Sequence, residues 1–324
     1  MLYNWIRDTF SQDAGLWIGT LGGFLMTFFL LMRPFRFLPK DGGKRVETPD
    51  GKTVVINEKS NGKTTGTGIV FVTVFLLMSI LFLPFSMEMV LNILLMALMM
   101  VTGYLDDAST TPWGELLKGL LDLVIAIAAV VVFLCYNSSD VIIFGTPFHF
   151  PPVLYGILGV AMIWGSVNVT NCSDGVDGLC GSVSVVSMIG YFGIFQNVMP
   201  TYARMGILFC GVLVAYLCFN WHPSKVLMGD AGSRTIGFML ALLAMHSGHP
   251  LIILLMSLVF IFDGGIGLIK LALLRIFHWN PFSKILTPFH DHMRKRWKMP
   301  IFSIPLVFGA LQVVFCLMAW LIFI

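Results

Sequence analysis

Residues 168 to 179 read Asn168-x-x-Asn171-x-x-Asp174-Gly175-Val176-Asp177-Gly178-Leu179, a run of amides and carboxylates set between two long apolar stretches. Such groups bind hard cations and phosphate-bearing ligands, and glycines at 175 and 178 let a ligand approach the backbone. If the segment is helical, its three-residue spacings align Asn168 with Asn171 and Asp174 with Asp177. A glycine-rich turn capped by Asn and Asp is the plainer alternative. Upstream, Asp106-Asp107 closes an apolar run. Adjacent carboxylates can hold Mg²⁺ and perturb each other's pKa so that one becomes a base or nucleophile, although a solvated helix end would look the same. Downstream, Asn220-x-x-Pro223-Ser224-Lys225-Val226-Leu227-Met228-Gly229-Asp230-Ala231-Gly232-Ser233 sets one carboxylate between glycines. There a metal or phosphate could come close, or Asp230 or Ser233 could simply cap a helix. The three polar gaps together point to a metal-dependent site for a phosphorylated substrate at one face of a membrane.

Two more motifs carry candidate chemistry. In Thr287-Pro288-Phe289-His290-Asp291-His292 the histidines are two apart and do not share a helix face. Beside hard carboxylates they read as phosphate or proton partners, with Mg²⁺ the expected ion in preference to zinc. Gly62-Lys63-Thr64 ends like a phosphate-binding loop, but Asn57 stands where that motif needs glycine and an apolar run follows at once. The pattern excludes a P-loop ATPase and leaves Lys63 and Thr65 as contacts for a substrate phosphate. The six cysteines show no C-x-x-C spacing and read as small helix-packing residues.

The elements that must position these groups are apolar. The chain has 324 residues, 57% hydrophobic and 11% charged, with a mean hydropathy of +0.87. Those values define an all-α integral membrane protein. About ten transmembrane helices fit: Gly15 to Phe35, Gly68 to Phe85, Met87 to Tyr104, Leu116 to Tyr136, Val153 to Val169, Leu179 to Phe195, Thr201 to Phe219, Thr235 to Met245, Leu251 to Phe277 and Ile304 to Phe323. The eighth run is short unless Met228 to Ser233 contributes. The ninth is long enough to be tilted, bent or broken, with Gly264-Gly265 the expected break. Arg36, Lys40, Lys44, Arg45, Lys52, Lys59 and Lys63 crowd one interval, and Arg275, Lys284, Arg294, Lys295, Arg296 and Lys298 another, while Arg7 stands alone before the first run. The positive-inside bias makes 36–67, 105–115, 170–178, 220–234 and 278–303 cytoplasmic and both termini external. A small external β-hairpin is expected over Val141 to Phe150, turning at Gly145, and Thr53 to Ile56 reads as a short strand. No internal repeat divides the chain, so a single domain is expected. The net charge of +3 implies no nucleic-acid partner.

These residues resemble the polyprenyl-phosphate N-acetylhexosamine-1-phosphate transferase superfamily over nearly the whole chain, and within it are most similar to its phospho-N-acetylmuramoyl-pentapeptide transferase family. The resemblance rests on Asp106-Asp107, the 168–179 motif, Asn220-x-x-Pro223 leading into Met228-Gly229-Asp230, and the Thr287 to His292 loop. It implies a multi-pass enzyme of the bacterial plasma membrane, its active site cytoplasmic. Phospho-N-acetylmuramoyl-pentapeptide would pass from its UDP carrier to undecaprenyl phosphate, releasing UMP and forming lipid I for peptidoglycan synthesis. By the same resemblance Asp230 is the Mg²⁺ ligand, and Asp106, Asp107, His290 and His292 join it as catalytic residues. Lys63, Thr65, Lys118, Asn168, Asn171, Asp174, Gly175, Asp177 and Leu227 bind substrate. Nucleoside inhibitors and a homodimer would fit the same picture. The chain departs from the family at His-Asp-His, where three histidines are usual, and at Leu227, where an aromatic is common. Its 62–68 segment keeps Thr65 and the outer glycines but lacks a proline. Ala231 is as typical of N-acetylglucosamine-1-phosphate transferases, which are the rival reading. An ion-coupled transporter using Asp263 and Lys270 is a more distant one.

Overall fold

In a computed structural model the described residues are 11–33, 35–41, 45–47, 53–55, 62–109, 111, 113–143 and 145–323. Arg7, Lys44, Lys52, Asn57 and Lys59, with Ile56 and Phe144 of the two strand readings, lie outside them. Backbone polar groups in hydrocarbon must be satisfied within their own segment, and each apolar run is accordingly helical. In chain order the helices are α1 (Gln12–Leu31), α2 (Gly68–Phe82), α3 (Met87–Ala108), α4 (Glu115–Tyr136), α5 (Pro152–Cys172), α6 (Leu179–Phe195), α7 (Pro200–Asn220) and α8 (Gly229–His246). There follow α9 (Pro250–Met256) and α10 (Leu258–Phe277), then the short α11 (Phe289–Lys295) and α12 (Ser303–Phe323). By length and composition six of these can cross a membrane, or seven if α9 and α10 form one bent span; α2 and α6 are shorter apolar helices.

The eighth run gains its missing length at its start, because α8 begins at Gly229. From Ala231 to Met245 every α8 residue is buried, including Arg234. It is the central helix, packed against α2, α3, α5, α6 and α7.

The ninth run is broken, but the bend of 67° falls at Ser257 and not at Gly264-Gly265. Breaking a helix orphans backbone groups. Here Gln312 of α12, fully buried, donates to Leu255 O at 3.1 Å and Met256 O at 2.9 Å and accepts from Val259 N at 3.4 Å. Gly264 serves close packing, since a Cβ there would lie 2.7 Å from Val169 O. Ile261–Gly265 forms a π-helical turn within α10 that carries the buried Asp263.

Two antiparallel strand pairs are found among the described residues. β1 (Arg45–Glu47) pairs with β2 (Thr53–Val55), and β3 (Asp140–Ile143) with β4 (Thr146–His149) around Gly145. The second hairpin marks one end of the bundle, where Ile142 N donates to Gly248 O at 2.9 Å. The start of α1 and the end of α12 lie at this end: Asp13 pairs with Arg204, and the Phe323 ring meets His249 and Phe195. The loops holding the candidate residues meet at the opposite end, where Thr64 bridges both Lys40 and Val226. All six cysteines are free.

Candidate active site

The start of α8 organises the site. A helix N-terminus exposes unpaired amides and partial positive charge. Neither Asp230 nor Ser233 caps it, contrary to the plainer sequence reading; Ser233 Oγ instead donates back to Gly229 O at 3.1 Å. The cap comes from another helix. Asp107, at the end of α3, accepts from the amides of Asp230 at 3.1 Å and Ala231 at 3.3 Å. This closeness requires glycine at 229, which has φ +67° and where a Cβ would lie 2.2 Å from Asp107 Oδ2.

That cap holds the Asp230 carboxylate between two neighbours. Asn171 Nδ2, in the last turn of α5, donates to Asp230 Oδ1 at 2.8 Å. Lys118 Nζ, in the first turn of α4, lies 3.5 Å from Asp230 Oδ2 and 2.5 Å from Asp106 Oδ2. Asp106 also accepts from Trp113 N at 2.8 Å. One turn deeper, Arg234 Nε donates to Asp122 Oδ1 at 3.1 Å, and its Nη2 donates to the same oxygen. The sequence reading missed that pair, although buried charges four residues beyond Asp230 and Lys118 were a visible signal.

A second cluster surrounds Asp177. Its carboxylate accepts from Ser224 Oγ at 2.7 Å and Ser224 N at 3.1 Å, meets His222 Nδ1 at 3.0 Å, and faces Lys63 Nζ at 3.9 Å. Burial works against the charge on Asp177, but the Ser224 hydroxyl and His222, then the Ser224 amide and Lys63, outweigh it and hold the carboxyl below its usual range. Asn220 joins the two loops, accepting from Gly178 N and donating to Val226 O, each at 2.8 Å. Leu227 N donates to Thr64 O at 2.8 Å, so Leu227 is fixed through its backbone as a wall of the site. Between these loops opens a cavity of about 490 Å³ lined by Lys63, Asp174, Asp177, His222, Leu227 and Arg294. That volume suits a nucleotide-sized ligand. Desolvation, followed by the charges of Asp107, Asp230 and Asp177, pushes the Asp174 carboxyl well above its ordinary range.

The histidine loop reaches the same place through one residue. Asp263 of the π turn accepts from His290 N at 2.7 Å and holds His290 Nδ1 at 2.8 Å. The other ring nitrogen points at the 168–179 segment, and a Cβ on Gly175 would lie 2.5 Å from His290 Nε2. His292 is not brought there: its Nδ1 accepts from Leu286 N at 3.2 Å and its ring packs on Phe289 and Trp297. Asp291 between them pairs with Arg294 and Lys295. Asn168 is turned back on its own helix, donating to Trp164 O at 2.8 Å. Thr65 is held by its amide, which donates to Pro39 O at 2.9 Å.

Among the described residues no three His, Cys, Asp or Glu side chains converge as a metal cage. Mg²⁺ commonly takes one or two carboxylates and completes its shell with water and substrate phosphate. Asp230 supplies a hard oxygen donor of that kind, in a place where Asp106, Asp107, Asp174 and Asp177 outnumber Lys63 and Lys118. The residues present therefore fit such an ion.

A helical membrane bundle with a polar, nucleotide-sized site at one end is the class these features define, and residues 89–248 match glycosyl transferase family 4. The chain is 36% identical over 317 residues to the phospho-N-acetylmuramoyl-pentapeptide-transferase of Treponema pallidum (strain Nichols), covering 91% of this chain and 85% of the relative. It is 28% identical over 312 residues to that of Aliarcobacter butzleri (strain RM4018), covering 85% of each. At this identity and coverage, the chain belongs to the phospho-N-acetylmuramoyl-pentapeptide transferase family.

Proposed function

We propose that the protein transfers phospho-N-acetylmuramoyl-pentapeptide from its UDP carrier to undecaprenyl phosphate, releasing UMP and forming lipid I. The observation that carries this reading is a nucleotide-sized cavity lined by Lys63, Asp174, Asp177 and Leu227, at the same end of the bundle as the cluster of Asp230, Lys118 and Asn171, in a chain 36% identical to a relative of that name. The donor's nucleoside occupies the cavity beside Asp177 and Leu227, and its diphosphate extends toward Lys118 and Asp230. His290 Nε2, aimed at Gly175, donates to a phosphate oxygen or passes a proton there. Asp230 would hold Mg²⁺, which would supply charge neutralisation for the diphosphate.

Asp106 and Asp107 are engaged with protein donors, the one by Lys118 and Trp113 N and the other by the α8 amides. These contacts give both carboxylates a structural task, and the reaction requires neither a base nor a covalent nucleophile from them. The acceptor needs neither, because a phosphate monoester has its second pKa at ~6 and is mostly dianionic near neutrality. Direct attack on the donor's β-phosphate follows, with Asp106 holding Lys118 and Asp107 holding the start of α8.

The ten helical runs cross the membrane as ten spans, α9 and α10 together forming the ninth, with the site cytoplasmic and both termini external. The soluble nucleotide then enters from water, while the polyprenyl chain lies along apolar helices near the broken ninth run. In the test, purified, delipidated protein is given UDP-muramoyl-pentapeptide labelled in the sugar. Label should appear in a lipid-extractable product only when undecaprenyl phosphate is added. Exchange of labelled UMP into the donor without that lipid would contradict the direct route.

A further inference from the structure

Beneath the reacting end, four charges alternate in sign around a rectangle. Lys118 and Asp122 are four apart on α4, and Asp230 and Arg234 four apart on α8, so each pair shares one helix face. Across the gap Lys118 meets Asp230, and Arg234 meets Asp122. Every charge therefore has opposite charges both along its helix and across to the other. The lower rung is deep in the bundle, with Asp122 3% and Arg234 2% exposed, and Arg234 Nη1 has no hydrogen-bond partner. A buried ion pair is a poor source of stability, and well-packed apolar residues commonly replace one without loss. Charges at this depth are costly, which favours a task beyond packing.

We propose that Asp122 and Arg234 are positioning residues whose polarity holds Lys118 between Asp106 and Asp230. Arg234 supplies the positive neighbour below Asp230, and Asp122 the negative neighbour below Lys118. With that arrangement Lys118 stays on the two carboxylates, and Asp230 keeps an orientation fixed by Asn171 on one oxygen and Lys118 on the other. A tether would work with either polarity. The inference rests on the functional reading above, since the task served is the presentation of Asp230 and Lys118 to a diphosphate and its cation.

The test reverses the lower rung while keeping the pair. Asp122→Arg/Arg234→Asp places like charges four apart on both helices, and Asp122→Leu/Arg234→Leu removes polarity while filling the space. Each protein is scored for thermal unfolding, for Mn²⁺ binding by electron paramagnetic resonance without substrate, and for kcat and KM of UMP release. Both doubles should fold, yet kcat should fall about tenfold or more with the donor KM within about threefold. The reversed pair should also bind Mn²⁺ at least about threefold more tightly, because a second carboxylate then lies one turn below Asp230. Arg234→Lys, which keeps the sign, should keep the wild-type Mn²⁺ affinity. A folded double variant with wild-type kcat and Mn²⁺ affinity would overturn the proposal. Loss of folding in both doubles would overturn it too, since it would make the pair a tether. Wild-type protein that binds Mn²⁺ but releases no UMP would contradict only the functional reading.

Discussion

Asp230 is the residue on which the proposed chemistry turns, and its surroundings separate a chemical from a structural role. Its carboxylate accepts from Asn171 and faces Lys118, while the helix start is secured by its backbone amide on Asp107. Asp230→Asn leaves that amide in place. The variant should keep its unfolding temperature within a few degrees and lose turnover by about 10²-fold or more, a loss of roughly 3 kcal/mol in transition-state stabilisation. Near-normal Mg²⁺-dependent turnover would remove Asp230 from the metal site. Asp174 gives a prediction of opposite character. Its folded pKa is raised, so at neutral pH its ionised form opposes folding, and that penalty fades as pH falls through the folded pKa. Asp174→Asn should raise the unfolding temperature near neutrality by about 2 °C or more, and the gain should vanish below about pH 4. A gain unchanged at low pH would contradict the desolvated carboxylate.

At this scale the sequence was legible where several polar groups crowd one short gap. Asp106, Asp107, Asn171, Asp174, Asp177 and Asp230 are brought to one end of the bundle as their motifs suggested. Asn168 and His292 show the limit, because spacing puts a residue on a helix without saying which bond its side chain prefers. Asn168 returns to its own helix, and His292 packs among Phe289 and Trp297. Asp122, Arg234, His222 and Ser224 were missed because each partner lies on a different segment, 112 residues away for Asp122 and Arg234. Pairings of that kind become visible only when the helices are packed.

Among elements, the broken ninth run shows most plainly what sequence could and could not supply. Its length required a tilt or break, and a break is present. Two adjacent glycines drew the eye to 264–265, but helix geometry was settled by a glutamine on the last helix. Gln312 satisfies two carbonyls and one amide at Ser257, and the glycines instead allow the π turn to pack on α5. Gln312→Leu should therefore orphan several buried backbone groups at about 1–3 kcal/mol each, lowering the unfolding temperature by roughly 5 °C or more. Gln312→Glu, which retains an acceptor but loses the amide donor, should fall at least as far. Unfolding temperatures measured in one detergent check both, and an unchanged value for Gln312→Leu would show that another group stabilises the bend.

For the whole molecule, helices at every apolar run gather the polar loops at one end and the β3–β4 hairpin, with the start of α1 and the end of α12, at the other. The alternation of apolar runs and basic intervals anticipated that grouping, since it follows from chain length and charge. The packing order around α8 did not follow, because near-uniform apolar helices present no face to read. If the site end is cytoplasmic, Thr146→Cys in the hairpin should react with an impermeant thiol reagent added to intact cells, and Ser283→Cys should react only after lysis. The reverse pattern would place the site outside, away from soluble nucleotides. The most direct measurement of the central claim is UMP release by purified protein given undecaprenyl phosphate and, in parallel, UDP-muramoyl-pentapeptide or UDP-N-acetylglucosamine, each with Mg²⁺ or with a chelator. The account predicts release from the muramoyl donor alone and only with Mg²⁺; release from UDP-N-acetylglucosamine in its place, or from neither donor, would contradict it.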